Sequence, residues 1–149
     1  MDNSLAAAFR PESVLLKRSA GSWRKALELA GEGLVAAGIA THEYTAAMVQ
    51  AVEVNGPYIV IAPGFALAHA RPSAAVLRWG MSLVALSEPV EFGAGANDPV
   101  SVIVGLAAVD KEQHVLALQM LAEKLIEPNF VNSLLKLSNF AELEQLLLL

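Results

Sequence analysis

The sequence predicts an α/β fold, a single-domain mixed β-sheet of about five strands flanked by helices on both faces. Two amphipathic segments come first, from Trp23 to Ala37 and from Thr41 to Asn55, with apolar residues at helical spacing. From Tyr58 the pattern changes to short runs rich in branched apolar residues, separated by turn signals. Helical periodicity then returns after Ala107, so the strands are joined by both hairpin and crossover connections.

Taken in order, Ser22 is positioned to cap a first helix, since Trp23, Ala26, Leu27, Ala30 and Leu34 form one stripe and Gly38 supplies a left-handed stop. Thr41 is the expected cap of a second helix on Tyr44, Ala47, Met48, Ala51 and Val52, ended by Asn55-Gly56-Pro57. Both helices are expected to precede any strong strand. Tyr58 to Ala62 and Phe65 to Ala68 read as strands around a Pro63-Gly64 turn. A third strand, Trp79 to Leu86, is expected to turn at Ser87-Glu88-Pro89 into Val90-Glu91-Phe92, and Val100 to Ala107 reads as a buried central strand. Asp110 with Gln113 suggests a capped helix running to about Pro128, with His114, Leu118, Leu121, Ala122 and Leu125 on its apolar stripe. Two shorter helices, Phe130 to Leu137 and Ala141 to Leu149, complete the chain, the last ending in four leucines that can dock on the core or on a second copy.

Composition narrows the function. Residues 1–149 suit one domain with one dense core, 55% of them hydrophobic at a mean hydropathy of +0.49. The longest apolar run, Val102 to Val109, falls far short of a membrane span, and Met1-Asp2-Asn3-Ser4 lacks the basic start of a secretory signal. A cytoplasmic location without direct membrane insertion is the expectation. With no cysteine, covalent chemistry must use another side chain. A net charge of −5 disfavours nucleic acid and suits encounter with a basic protein face.

The strongest chemical signal is Gly64-Phe65-Ala66-Leu67-Ala68-His69-Ala70-Arg71-Pro72, an apolar strand running out into a histidine and an arginine. Ligand sites of open α/β sheets gather at the carboxyl ends of strands. A neutral imidazole is a nucleophile near pH 7, and the guanidinium of Arg71 offers charge stabilisation to a transferring phosphoryl group. The alternative is a strand-end histidine bonded to a carbonyl beside a solvated arginine. His114, in the first turn of its helix and on the core-facing stripe, is expected to point inward, where backbone N–H groups stabilise both a neutral ring and a nearby phosphoryl group. The alternative there is a core histidine with a satisfied ring. His42 reads as surface. Three histidines this far apart, without metal-ligand spacing, predict no metal site, and Gly93 to Asp98 reads as a turn rather than a dinucleotide loop, so no cofactor is expected.

From Gly56-Pro57-Tyr58 through His69-Ala70-Arg71-Pro72, the chain resembles the active-site segment of IIA components of the phosphoenolpyruvate-dependent sugar phosphotransferase system, in the mannitol/fructose-type fold. Asn97-Asp98-Pro99-Val100 and Ala107-Ala108-Val109-Asp110 ahead of His114 are most similar to the ascorbate-type branch. The resemblance runs from about Trp23 to Phe130. It implies a phosphotransferase with a phosphohistidine intermediate, in which His69 is phosphorylated by HPr and donates to a IIB component while His114 assists. A direct phosphate contact from Arg71 is an inference from its position. The family usually places proline immediately before the active histidine; here Ala68 leaves the chain less restrained and supplies an N–H that needs a partner. Phe65, Leu67 and Ala70 are candidates for an apolar docking rim, with a core position the alternative for Leu67. The alternatives carried forward are a regulatory IIA-like protein and an inactive scaffold acting through protein contacts, and the leucine-rich end leaves a homodimer open.

Overall fold

The computed structural model describes residues 4–148. The first three residues of the leader reading and the expected last helical residue, Leu149, lie outside them. One five-stranded sheet organises these residues in the order β1-β4-β5-β3-β2. Its strands are β1 (Val14–Arg18), β2 (Val60–Ala62), β3 (Phe65–Ala68), β4 (Gly80–Val90) and β5 (Val100–Ala107). β1 runs parallel to β4, β4 antiparallel to β5, β5 parallel to β3, and β3 antiparallel to β2. The predicted mixed sheet is therefore present, although its strands differ in part from those expected.

The helices are α1 (Trp23–Ala36), α2 (His42–Asn55), α3 (Lys111–Leu125), α4 (Phe130–Leu135) and α5 (Phe140–Leu148). Ser22 caps α1 by accepting the Lys25 N–H at 3.2 Å, and Gly38 has φ 70°, the left-handed geometry that ends a helix. The α1 stripe of Ala26, Leu27, Ala30 and Leu34 is fully buried. It packs, with Tyr44, Met48 and Val52 of α2, into a core on one face of the sheet. The other face is covered by Ala117 and Leu121 of α3, Phe130 and Leu134 of α4, and Leu143 and Leu147 of α5. Alternate residues of a strand point to opposite faces, so β5 divides its side chains between the two cores: Ile103 and Ala107 to one, Val102, Val104 and Leu106 to the other.

Three expectations are corrected. A strand does precede the helices: β1 is short, ends in Lys17 and Arg18, and lies at the sheet edge, where charge is the usual protection against further pairing. Ser87-Glu88-Pro89 is not a turn, because β4 continues through it to Val90, which pairs with Val100 after an irregularity in register. The break in register between Ala85 and Val90 tolerates a proline that cannot donate, and the Ser87 hydroxyl bonds to the Arg18 carbonyl at 3.2 Å. The chain reverses later, through the Gly95–Asn97 turn. In α3, Ala122 is exposed and Ala117 takes the buried position. Among the described residues, no helix is long and apolar enough to cross a membrane.

Candidate active site

β3 and β5 are parallel neighbours, so their carboxyl ends open on the same edge of the sheet. His69 follows β3 directly, and β5 leads through Asp110 into α3, which carries His114 in its first turn. Asp110 caps α3 by accepting the Gln113 N–H at 2.8 Å, while Gln113 Oε1 accepts the Val109 N–H at 3.0 Å. This reciprocal cap fixes the start of α3. The two imidazoles meet, with ring centroids 5.2 Å apart and planes at 51°.

The His69 ring is oriented from behind. Its Nδ1 lies 2.9 Å from the Leu67 carbonyl oxygen, and because a carbonyl can only accept, the neutral ring carries its proton on Nδ1. Nε2 is then the nitrogen with an available lone pair. Tyr58 stands edge-on to the same ring at 5.7 Å. For His114, burial and, secondarily, the neighbouring His69 lower the pKa below the ordinary histidine value, favouring a neutral ring with one N–H to donate.

Behind the histidines lies Tyr44, 2% exposed, whose Oη accepts the Ala70 N–H at 3.0 Å and donates to the Leu106 carbonyl at 2.6 Å. The Ala70 carbonyl is also within 3.2 Å of that hydroxyl. Burial pushes the phenol up to about 12, so it stays protonated.

In front of the rings is an open groove of about 1270 Å³, which His69, His114, Tyr58, Arg71 and Lys111 share with the Ala47, Ala51 and Val54 side of α2. None of its lining residues is acidic. Arg71 is exposed, and among the described residues neither it nor Lys111 has an ion-pair partner. The groove thus presents cationic groups and two imidazoles beside an apolar helix face, an arrangement suited to an anionic group carried by another macromolecule.

Sequence reasoning had singled out His69, His114 and Arg71, and all three line this groove. His42 is exposed at the start of α2, as expected. The expected rim is corrected in part: Phe65 and Leu67 are buried to 1% exposure or less, and only Ala70 reaches the groove, whose apolar wall comes from α2. The Ala68 N–H has a place in the sheet. Leu67 directs its own N–H to the Ile59 carbonyl at 2.8 Å, so by strand alternation Ala68, paired in register with Gly105, faces β5. Tyr44, Tyr58 and Lys111 were not singled out. For Tyr58 a signal existed in its place directly after Asn55-Gly56-Pro57, where the chain is still turning before β2 begins at Val60.

Residues 7–148 match the family described as phosphoenolpyruvate-dependent sugar phosphotransferase system, EIIA 2. The chain belongs to this family. Among curated EIIA proteins, the ascorbate-specific PTS system EIIA component of Escherichia coli K12 is 42% identical over 103 residues, which make up 69% of this chain and 67% of that protein. The solution structure of the mannitol-specific cryptic phosphotransferase enzyme IIA CmtB from Escherichia coli superposes with a TM-score of 0.83 at 33% identity, covering 96% of this EIIA chain and 97% of the other. Enzyme IIA of the Escherichia coli mannitol system, solved in complex with its phosphorylated IIB, gives a TM-score of 0.81 at 26% identity over 94% and 96% of the two chains. The EIIA family and the mannitol-type fold that the motifs implied are therefore established on the whole domain.

Proposed function

We propose that this EIIA chain is a phosphohistidine carrier, taking a phosphoryl group from phospho-HPr on Nε2 of His69 and passing it to a IIB component for uptake of ascorbate or a related sugar. The observation that carries the reading is the Nδ1 contact to the Leu67 carbonyl, which holds the proton on one nitrogen and leaves the other as a nucleophile at the groove. In the first step the donor's phosphohistidine N–P bond breaks as the His69 Nε2–P bond forms, with the donor imidazole leaving along the line of attack. In the second, the IIB nucleophile attacks phosphorus, the Nε2–P bond breaks, and His69 leaves as a neutral ring with its proton still on Nδ1, donated to the Leu67 carbonyl.

Each step depends on positioning and on stabilising the moving phosphoryl oxygens. His114 is suited to that as a neutral donor 5.2 Å away between ring centroids, and the N–H groups at the start of α3 add positive potential. Arg71 and Lys111 line the same groove and supply longer-range attraction. The ascorbate assignment is supported by the name of the 42%-identical relative, and the IIB partner by the complex formed by the mannitol-system neighbour.

The test mixes the pure chain with phosphoenolpyruvate, enzyme I and HPr and follows acid-labile label. One phosphoryl group per chain is expected, lost in His69→Ala and discharged by an ascorbate-type IIB. Label persisting in His69→Ala would overturn the site, and label that no IIB discharges would overturn the carrier role.

A further inference from the structure

The parallel ladder between β3 and β5 ends at the pair Ala68–Gly105. Continuing its register would pair Ala70 with Ala107 and aim the Ala70 N–H at the Leu106 carbonyl, the next rung of a parallel pair. Those two groups do not bond to each other in the structure. The Tyr44 hydroxyl stands between them, taking the Ala70 N–H at 3.0 Å and giving its own proton to Leu106 at 2.6 Å. A hydroxyl serves both groups because it is donor and acceptor at once.

The insertion lies where the two histidine-bearing segments part. Ala70 is the residue after His69, and Leu106 lies near the end of the strand that feeds the α3 cap and His114. A direct rung would hold the β3 extension tight against β5, whereas a one-atom spacer holds it at a fixed, wider distance. Tyr44 itself is anchored by the buried side of α2, with Met48 and Val52 in the same core. The wider gap coincides with the place where the rings of His69 and His114 face each other.

We infer that Tyr44 is a positioning residue of the transfer site, its hydroxyl acting as an inserted rung that sets the spacing and orientation of the two imidazoles. This rests on His69 being the phosphoryl acceptor, and it makes one residue of α2 part of the active-site scaffold. The phenol's raised pKa keeps the rung intact across the working pH range. A misplacement of about 1 Å at a reacting centre commonly costs about a hundredfold in rate.

The test is Tyr44→Phe, which keeps the ring and removes the bridging atom. Phosphoryl exchange between phospho-HPr and His69 is expected to slow by about tenfold to a hundredfold, with the chain still reaching one label at long times. Long-range proton–nitrogen NMR of both proteins, without any phosphoryl donor, reads the tautomers. His69 should be uniformly Nδ1-protonated in the wild type and mixed in Tyr44→Phe, and the His114 titration midpoint should move. Unchanged tautomers, midpoint and exchange rate would overturn the proposal. If the carrier reading fails, label is absent or survives His69→Ala while the NMR comparison still judges the rung. Should Tyr44→Phe not fold, the wild-type Ala70 amide decides: hydrogen exchange as slow as at Ala66 supports the rung, and exchange at open-loop rates overturns it.

Discussion

Gly105→Ala should be among the most damaging single-methyl additions in this protein, and Ser82→Ala should rescue much of the damage. Gly105 sits in β5 opposite Ser82 of β4 and beside Ala68 of β3. A Cβ there would collide with Ser82 Oγ and stand 3.4 Å from both the Cβ and the carbonyl oxygen of Ala30 in α1. Ser82 is fully buried, and its hydroxyl donates to that same Ala30 carbonyl at 2.7 Å. The added methyl must therefore displace α1 or turn the hydroxyl away from its acceptor. Overpacking costs about 1–3 kcal/mol and the lost buried hydrogen bond about 1 kcal/mol, giving about 2–4 kcal/mol for Gly105→Ala. Ser82→Ala alone should cost about 1 kcal/mol, since Ala30 is in mid-helix and its carbonyl keeps the intrahelical bond. In the double variant the new methyl occupies the space the hydroxyl left, so the total should fall to about 1–2 kcal/mol instead of the additive 3–5. Urea unfolding of all four proteins at one pH measures the cycle. Single-variant losses that add within about 0.5 kcal/mol would refute the claim that the hydroxyl and the absent Cβ share one space.

The remaining predictions concern the site. His114→Ala should still accept label at His69 but exchange it about a hundredfold more slowly in rapid-quench assays with phospho-HPr, the cost of losing one preorganised donor; an unchanged rate would remove His114 from the mechanism. The depressed pKa of His114 also sets the sign of a stability effect. Below the ordinary histidine value of 6.5 the unfolded chain binds a proton that the folded ring resists, so acidification from pH 7.5 towards 5.5 favours unfolding. Urea midpoints at the two pH values should fall further apart in the wild type than in His114→Gln, and equal pH dependence in both would contradict the burial of that ring.

The fold was legible wherever a buried face repeats along an element. α1 carries four fully buried residues on one stripe, and its cap and stop residues bracket it in the sequence. β5 is almost wholly apolar because both its faces are covered. β1 was not legible for the opposite reason: only Leu15 of its five residues is buried, and its parallel partner β4 is distant in the chain. Ser87-Glu88-Pro89 misled because local turn chemistry and an exposed, bulged strand have the same composition. Only the pairing of Val90 with Val100, which depends on the loop beyond, separates them. Leu67 was open to either reading as rim or core, since a packed core covers each face of β3 and no alternation survives in its sequence.

The histidines were legible because each sits at the end of an element that could be read locally, and their meeting follows from topology. Two parallel neighbours deliver their carboxyl ends to the same edge, so residues far apart in sequence converge there without any local signal linking them. What local reading could not reach was the layer that holds them. Tyr44 occupies an ordinary core position of an amphipathic helix, and its apolar ring fully accounts for its place on the stripe; the hydroxyl acquires meaning only once α2 lies over the point where β3 and β5 separate. The same holds for Gly105, whose missing side chain matters only because Ser82 and α1 close over it. A strand end that must open to expose a nucleophile loses a ladder bond at that point, and the buried polar groups left behind require a partner from another layer. Here the helix that covers the opening supplies that partner, the Tyr44 hydroxyl.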